Sequence, residues 1–218
     1  MKIAIMQPYF LPYIGYWQLI NAVDEFVIYD NIKYTKKGWI NRNRYVGGRT
    51  FTIPIKKGSD SLTVVEREIS EVYDRKKLSR QIQSAYRDAV YLKQCFPLVN
   101  SCIMDHRNNL FEYIHRSVIN ICDYLNVNTK ITVSSNINID HSLKSQEKVL
   151  AICKAMNATQ YINPIGGTEL YDKAVFQKEG ISLNFLKTKS ENTLSIVDIL
   201  MRNPTENMEK ILGEFRLV

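Results

Sequence analysis

The sequence predicts an α/β protein: an open, mostly parallel sheet of Rossmann-like or nucleotidyltransferase-like order with a helical insertion. Residues 2–6 and 25–29 are short apolar runs separated by a helical pattern. This connection is too long for a hairpin, so the two strands are expected to be parallel and joined by a right-handed crossover. The same alternation of strand and helix returns after residue 127. Ligands of such sheets bind at the carboxyl ends of the strands.

Composition and charge exclude several classes of protein. The chain has 218 residues, of which 45% are hydrophobic, so disorder is excluded as the main state. No apolar stretch approaches the ~20 residues of a membrane span. Pro8 ends the first apolar run too early for a secretory signal, and we expect the protein in the cytoplasm. The net charge of +7 is compatible with binding a diphosphate and does not require nucleic acid as a partner.

The first strand is followed by a loop with two prolines and a glycine. Pro8 and Pro12 cannot continue the strand because they lack an N–H donor, and the helix of residues 13–23 begins next. Its N-terminal N–H groups would face an anion. Gln7 and these N–H groups would hold a phosphate or a carboxylate, and Tyr9 and Tyr16 are candidate substrate contacts. Alternatively, the prolines and the glycine only shape the turn.

The second strand ends at Asp30, which is placed to act as a general base or to bind a sugar hydroxyl. Residues 31–57 are rich in both basic and aromatic side chains. Two strand-like runs in this segment flank a Gly-Gly pair, which predicts a hairpin with a glycine turn. Cationic and planar side chains suit phosphate and ring recognition; the candidates are Tyr34, Lys36, Lys37, Trp39, Arg42 and Asn43. The alternative is a solvated basic hairpin.

The rest of the chain predicts one domain over residues 1–218, with a largely helical insertion around residues 74–126. The periodicity predicts strands at 63–69, 130–134, 159–163 and 181–186, and helices at 74–92, 105–125, 143–156, 173–179 and 195–201.

A third candidate loop follows the strand of residues 159–163. Two glycines there allow backbone to approach a ligand closely, although a plain turn explains them equally well; the candidates are Asn163, Gly166, Gly167 and Tyr171. His141 is a weaker candidate base. The four cysteines form no C-x-x-C pair, so we predict buried thiols and no structural metal.

Three stretches together resemble the WbqC-like family of bacterial proteins, and the resemblance extends over essentially the whole chain. They are M-Q-P-Y-F-L-P-Y-I-G-Y at residues 6–16, V-I-Y-D at 27–30 continuing to W-I-N-R-N-R at 39–44, and Y-I-N-P-I-G-G at 161–167 with Tyr171. The first two are specific in combination.

The resemblance implies a role in surface-polysaccharide synthesis, in O-antigen (lipopolysaccharide) or capsule clusters. The most concrete implied activity is a transferase that moves an acyl or aminoacyl group onto the amine of a nucleotide-linked amino sugar. Asp30 would then act as base, Gln7 with nearby N–H groups would stabilise an oxyanion, and Arg42 with Lys36 or Lys37 would hold the diphosphate. No cofactor is firmly implied, and the donor and the oligomeric state stay open.

Two other functions remain open from the sequence. The first is a nucleotidyltransferase acting on a sugar or related phosphate, although Tyr16 stands where that class needs a histidine over the phosphates. The second is a nonenzymatic RNA-binding module, suggested by the basic aromatic hairpin.

Overall fold

The computed structural model describes residues 1–218 and has a six-stranded sheet with helices on both faces. The strands are β1 (Lys2–Met6), β2 (Glu25–Ile28), β3 (Arg42–Tyr45), β4 (Arg49–Thr52), β5 (Lys130–Val133), β6 (Gln160–Pro164), β7 (Ser182–Thr188) and β8 (Phe215–Leu217). The helices are α1 (Ile14–Asn21), α2 (Arg75–Ala85), α3 (Leu92–Met104), α4 (Leu110–Tyr124), α5 (Ser145–Ala155), α6 (Lys173–Lys178), α7 (Ile196–Arg202) and α8 (Met208–Leu212).

The order of strands across the sheet is β5-β2-β1-β6-β7-β8. The first five of these run parallel, and β8 pairs antiparallel with β7 at one edge. The predicted α/β class and the mostly parallel sheet are therefore confirmed. From β1 the chain builds the sheet outward through β2 and β5, and then returns to add β6 and β7 on the other side. The boundary between β1 and β6 is thus a topological switch point, where open α/β sheets bind ligands.

The central strand β1 is apolar on both sides, as a strand covered on two faces must be. Ile3 and Ile5 pack into a cluster with α5 and α6, whereas Ala4 packs into the larger cluster on the opposite face. All four cysteines are buried and free. None of the helices combines the length and the apolar content that a membrane-spanning helix needs.

Four elements differ from the sequence predictions. Residues 63–69 form no strand, because Thr63 and Glu66 make a capping box that winds Val64–Glu66 into a 3₁₀ turn. Helix α3 continues through Pro97; the proline removes a single hydrogen bond near the start of the helix, and its ring is exposed to solvent. The C-terminal elements α8 and β8 were not predicted, and both are shorter than the windows in which periodicity is visible.

The loop from β1 to α1 is held in place by hydrogen bonds to its carbonyl groups. The Leu11 carbonyl accepts hydrogen bonds from Asn43 Nδ2 (2.8 Å) and Ser195 Oγ (2.7 Å). Leu11 itself has φ +47°, a conformation that costs free energy for a residue with a Cβ atom. Tyr16 is fully buried, and its hydroxyl donates to the Gln7 carbonyl at 3.1 Å. These contacts fix the end of β1 in one geometry.

We predict that Tyr16→Phe lowers the free energy of unfolding by about 1 kcal/mol, the usual contribution of one hydrogen bond. Urea denaturation measures the change. Tyr91→Phe is the matched control, because the Tyr91 hydroxyl has no hydrogen-bond partner. Equal stability of the two variants would show that the hydrogen bond from Tyr16 to the Gln7 carbonyl does not stabilise the fold.

Candidate functional site

The carboxyl ends of β1, β2 and β6 lie side by side and form the sheet edge at the switch point. Met6 is level with Ile28, and the Tyr29 N–H donates to the Met6 carbonyl at 2.8 Å. Gln7 therefore follows β1 beside Tyr29. The Gln7 Oε1 lies 3.4 Å from the Tyr9 hydroxyl, while its Nε2 has no protein acceptor. That amide is free to donate hydrogen bonds to a ligand.

Asp30 lies at the same edge but is only 1% exposed. Its Oδ1 accepts hydrogen bonds from Ser134 Oγ at 2.7 Å and from the Ser135 N–H at 2.9 Å. Both donors belong to the turn after β5, so Asp30 ties the ends of two neighbouring strands together. In this geometry one oxygen of the Asp30 carboxylate is held by protein donors.

A buried lysine completes this polar cluster. Lys148 of α5 is 4% exposed, and its Nζ lies 3.3 Å from Asn31 Oδ1 and 3.2 Å from the His141 carbonyl. Asn31 Nδ2 lies 2.9 Å from His141 Nδ1, and His141 Nε2 lies 3.0 Å from the Ile137 carbonyl. His141 therefore bridges Asn31 and the Ile137 carbonyl through its two ring nitrogens.

Sequence reasoning did not select Lys148. The available signal was its position: four and five residues before Ile152 and Cys153, it lies on the apolar face of the predicted helix. A lysine on such a face has to be explained, because lysine is almost never fully buried.

Burial also sets the protonation of this cluster. Desolvation lowers the pKa of the Lys148 ammonium below its ordinary value, although Asp30 and Asp140 oppose the shift. The ammonium also lies 5.1 Å from the centre of the Tyr29 ring. Burial, with Tyr171 and Asp30 nearby, raises the pKa of Tyr29 to about 12. Tyr29 is therefore a proton donor at neutral pH, and Lys148 loses its proton more readily than an exposed lysine.

The third predicted loop packs tightly against β6. Asn163 Nδ2 donates to the Tyr161 hydroxyl at 2.6 Å, and this hydroxyl donates to that of Tyr171 at 3.4 Å. A Cβ atom on Gly167 would lie 2.1 Å from Asn163 Oδ1, whereas one on Gly166 would meet nothing within 4 Å. Gly167 is therefore needed for close packing, and Gly166 is not.

The cationic candidates lie in a separate place, a cavity of about 660 Å³ that we call the basic pocket. Its lining residues are Tyr34, Lys36, Lys37, Asn41, Arg42, Thr52, Ile55, Lys56, Lys57, Gly58 and Arg67. The structure thus brings together four of the predicted substrate contacts from residues 31–57. A second cavity of about 470 Å³, lined by Tyr45, Arg49, Lys77, Arg80, Gln81 and Ser84, lies beside α2.

The remaining predicted residues differ in exposure: one lies at the surface, and two are buried. Trp39 is 43% exposed, and the guanidinium carbons of Arg42 and Arg44 lie 5.0 and 5.3 Å from its ring centre. Asn43 is buried and donates to the Leu11 carbonyl, and Tyr16 is buried in the core; both support the first loop.

No group of three or more His, Cys, Asp or Glu side chains is arranged to hold a metal ion.

We predict that Gly167→Ala destabilises the protein by about 1–3 kcal/mol, because the added methyl group must displace the buried Asn163 amide. The matched control is Gly166→Ala, which should change stability by less than about 0.5 kcal/mol. Thermal unfolding compares the two. Similar losses in both variants would contradict the packing role of Gly167.

We predict that Lys148→Met raises the free energy of unfolding at pH 7 by about 1 kcal/mol. The variant removes a buried ammonium that has no carboxylate partner, and Asn31 Oδ1 keeps its contact with Ser134. Burial lowers the pKa of Lys148 in the folded state only, so the wild type gains stability as pH rises from the lowered pKa toward the ordinary value of ~10.4. The difference between variant and wild type should therefore shrink in that window. Denaturation at several pH values measures it, and a large loss of stability at pH 7 would count against the account.

Comparison with known proteins finds a relative of similar length. It is 28% identical over 189 residues to a protein of Mycobacterium tuberculosis (strain ATCC 25618 / H37Rv) described as "Uncharacterized protein Rv1507c". The match covers 84% of this chain and 81% of that protein. No solved structure matches the chain at a significant level.

The model of the WbqC-like protein family matches residues 7–210. The match includes the loop after β1, the basic pocket and the polar cluster around Lys148. This chain belongs to the WbqC-like protein family.

Proposed function

We propose that this protein is a transferase of surface-polysaccharide synthesis that adds an acyl or aminoacyl group to the amine of a nucleotide-linked amino sugar. The observation that carries the proposal is the polar sheet edge at the switch point between β1 and β6. There the free amide of Gln7 lies beside Tyr29 and the buried Lys148 cluster. The sequence resemblance supplies the class of substrate.

The proposed reaction divides its tasks among these groups. The amine nitrogen of the sugar attacks the acyl carbon of an activated donor, a thioester or an ester. The new bond joins nitrogen and carbon, and the bond from that carbon to the sulfur or oxygen of the donor breaks. The proton lost from nitrogen passes to the leaving group, giving a thiol or an alcohol.

Proton transfer and charge stabilisation then fall to different residues. Lys148, whose pKa is lowered by burial, first accepts one proton from the sugar ammonium, which leaves the free amine that attacks, and it later returns this proton to solvent. The negative charge of Asp30 lies nearby. Gln7 Nε2 donates to the oxyanion of the tetrahedral intermediate. In this proposal Asp30 is a positioning residue, because both hydrogen bonds of its carboxylate come from the turn after β5.

The test is a mass-spectrometric assay with nucleotide-linked sugars that differ only by an amino or a hydroxyl group, each with thioester and ester acyl donors. The amino sugar should gain the mass of the acyl group, and the hydroxyl sugar should not. Gln7→Ala should lower kcat by about 10²–10³-fold, the effect of losing one oxyanion donor.

Gln160→Ala is the matched control, because Gln160 begins β6 at the opposite edge of the sheet. Its activity should equal that of the wild type. The absence of acylated product with every donor, or equal losses in the two glutamine variants, would contradict the proposed function.

A nucleotidyltransferase is the second candidate, and the strand order favours it. The buried Tyr16 supports the loop instead of standing over a phosphate. Release of pyrophosphate from a nucleoside triphosphate with Mg²⁺ and a sugar phosphate would favour this second candidate.

A further inference from the structure

We propose that the basic pocket is a diphosphate-binding site, with Arg67 as its buried anchor. The inference deepens the proposed function, on which it rests for the identity of the rest of the ligand. It names Arg67 and Lys57 as ligand-binding residues, in addition to Arg42 and Lys37.

The charge of the pocket is strongly one-sided. Six of its eleven lining residues are Lys or Arg, and none is Asp or Glu. Two of the six are paired outside the lining, Lys36 with Asp60 at 2.5 Å and Lys56 with Glu68 at 2.9 Å. The other four have no carboxylate within 4.0 Å. Four unpaired cations around one cavity match a ligand that carries two or more negative charges.

Arg67 is unusual because it is a cation with 2% exposure and no carboxylate oxygen within 4.0 Å. Its Nη2 donates to the Ser59 carbonyl at 2.6 Å, and its guanidinium carbon lies 5.0 Å from the Tyr34 ring centre. Its Nε has no hydrogen-bond partner. A buried charged N–H without an acceptor is costly, so its persistence indicates a site prepared for an anion.

A second guanidinium in the same lining shows the same feature. Arg42 donates through Nη2 to the Lys37 carbonyl, which orients the side chain, and its buried Nε also lacks a partner. The absence of a side chain at Gly58 lets the Arg67 guanidinium lie close to the backbone, because a Cβ atom on Gly58 would lie 3.0 Å from Arg67 Nη1. Planar guanidinium groups bind phosphate oxygens with two parallel hydrogen bonds. Two such groups suit the two phosphates of a diphosphate.

The pocket also lies within reach of the sheet edge. Residues 30–34 run from Asp30 to Tyr34, and four residue steps span at most about 14 Å. The Phe10 N–H donates to the Ile40 carbonyl at 3.0 Å, which joins the loop after β1 to the residue before Asn41 of the lining. A diphosphate in the pocket would therefore leave an attached sugar near Gln7.

The experiment is isothermal titration of the full chain with inorganic pyrophosphate, orthophosphate and a nucleoside diphosphate. Pyrophosphate should bind more tightly than orthophosphate. Arg67→Lys and the double variant Arg42→Gln with Lys57→Ala should each raise the Kd for pyrophosphate about tenfold or more, the effect of losing one charge-assisted hydrogen bond. The double variant alters partly or fully exposed side chains, so it tests the pocket even if Arg67→Lys does not fold.

Lys77→Ala is the matched control, because it removes one positive charge from the other basic cavity. Its Kd should stay within about twofold of the wild type. If Lys77→Ala and the pocket variants lose equal affinity for pyrophosphate, diffuse surface charge explains the binding and the proposal is overturned. The proposal is also overturned if short RNA binds more tightly than pyrophosphate and all the variants weaken RNA binding alike. Pyrophosphate binding in the pocket without binding of any nucleotide-linked amino sugar would support the site and contradict the proposed function.

Discussion

The parallel pairing of β1 with β2 on one side and β6 on the other is the constraint on which the rest of the structure depends. It places the ends of three strands at one edge, and it makes their boundary the point where the chain reverses its direction of growth. The loop that leaves β1 must then turn sharply without a helix cap of its own. Asn43 and Ser195, from distant parts of the chain, hold that loop through the Leu11 carbonyl. The basic hairpin is thereby fixed against the sheet edge.

Two buried cations and one strained residue in this region oppose stability. Lys148 and Arg67 are cations in the interior without a carboxylate partner, and Leu11 is held in a left-handed conformation. Each costs free energy in the free protein, and such groups concentrate at sites where a ligand satisfies them. Asp30 is the contrasting case, because its carboxylate is satisfied within the protein by Ser134 and Ser135. In the proposed function these two cations have separate roles, with proton transfer at the sheet edge and anion binding in the basic pocket.

The sequence predicts the sheet and the first loop well, because continuous apolar runs and paired prolines are local signals. It does not predict helix α3, since Pro97 masks the periodicity, nor the 3₁₀ turn after Thr63, which depends on a single side-chain pair. The candidate residues divide in the same way. Gln7 and Arg42 follow from motif and charge, but Arg67 and Lys148 belong to segments without a motif. Lys148 has only its position on an apolar helix face as a sequence signal, and Arg67 is recognised only by its burial. That Lys36, Lys37 and Arg42 line one cavity with Arg67 depends on long-range packing, which charge and composition do not encode.

In the proposed complex, one ligand joins the basic pocket to the sheet edge. A crystal structure of the protein with a nucleotide-linked amino sugar tests it most directly. The account predicts the diphosphate between the guanidinium groups of Arg42 and Arg67, and the sugar amine beside Gln7 at the end of β1. Density for the diphosphate in the other cavity, beside Arg49 and Lys77, or a sugar that points away from the sheet edge, would contradict it.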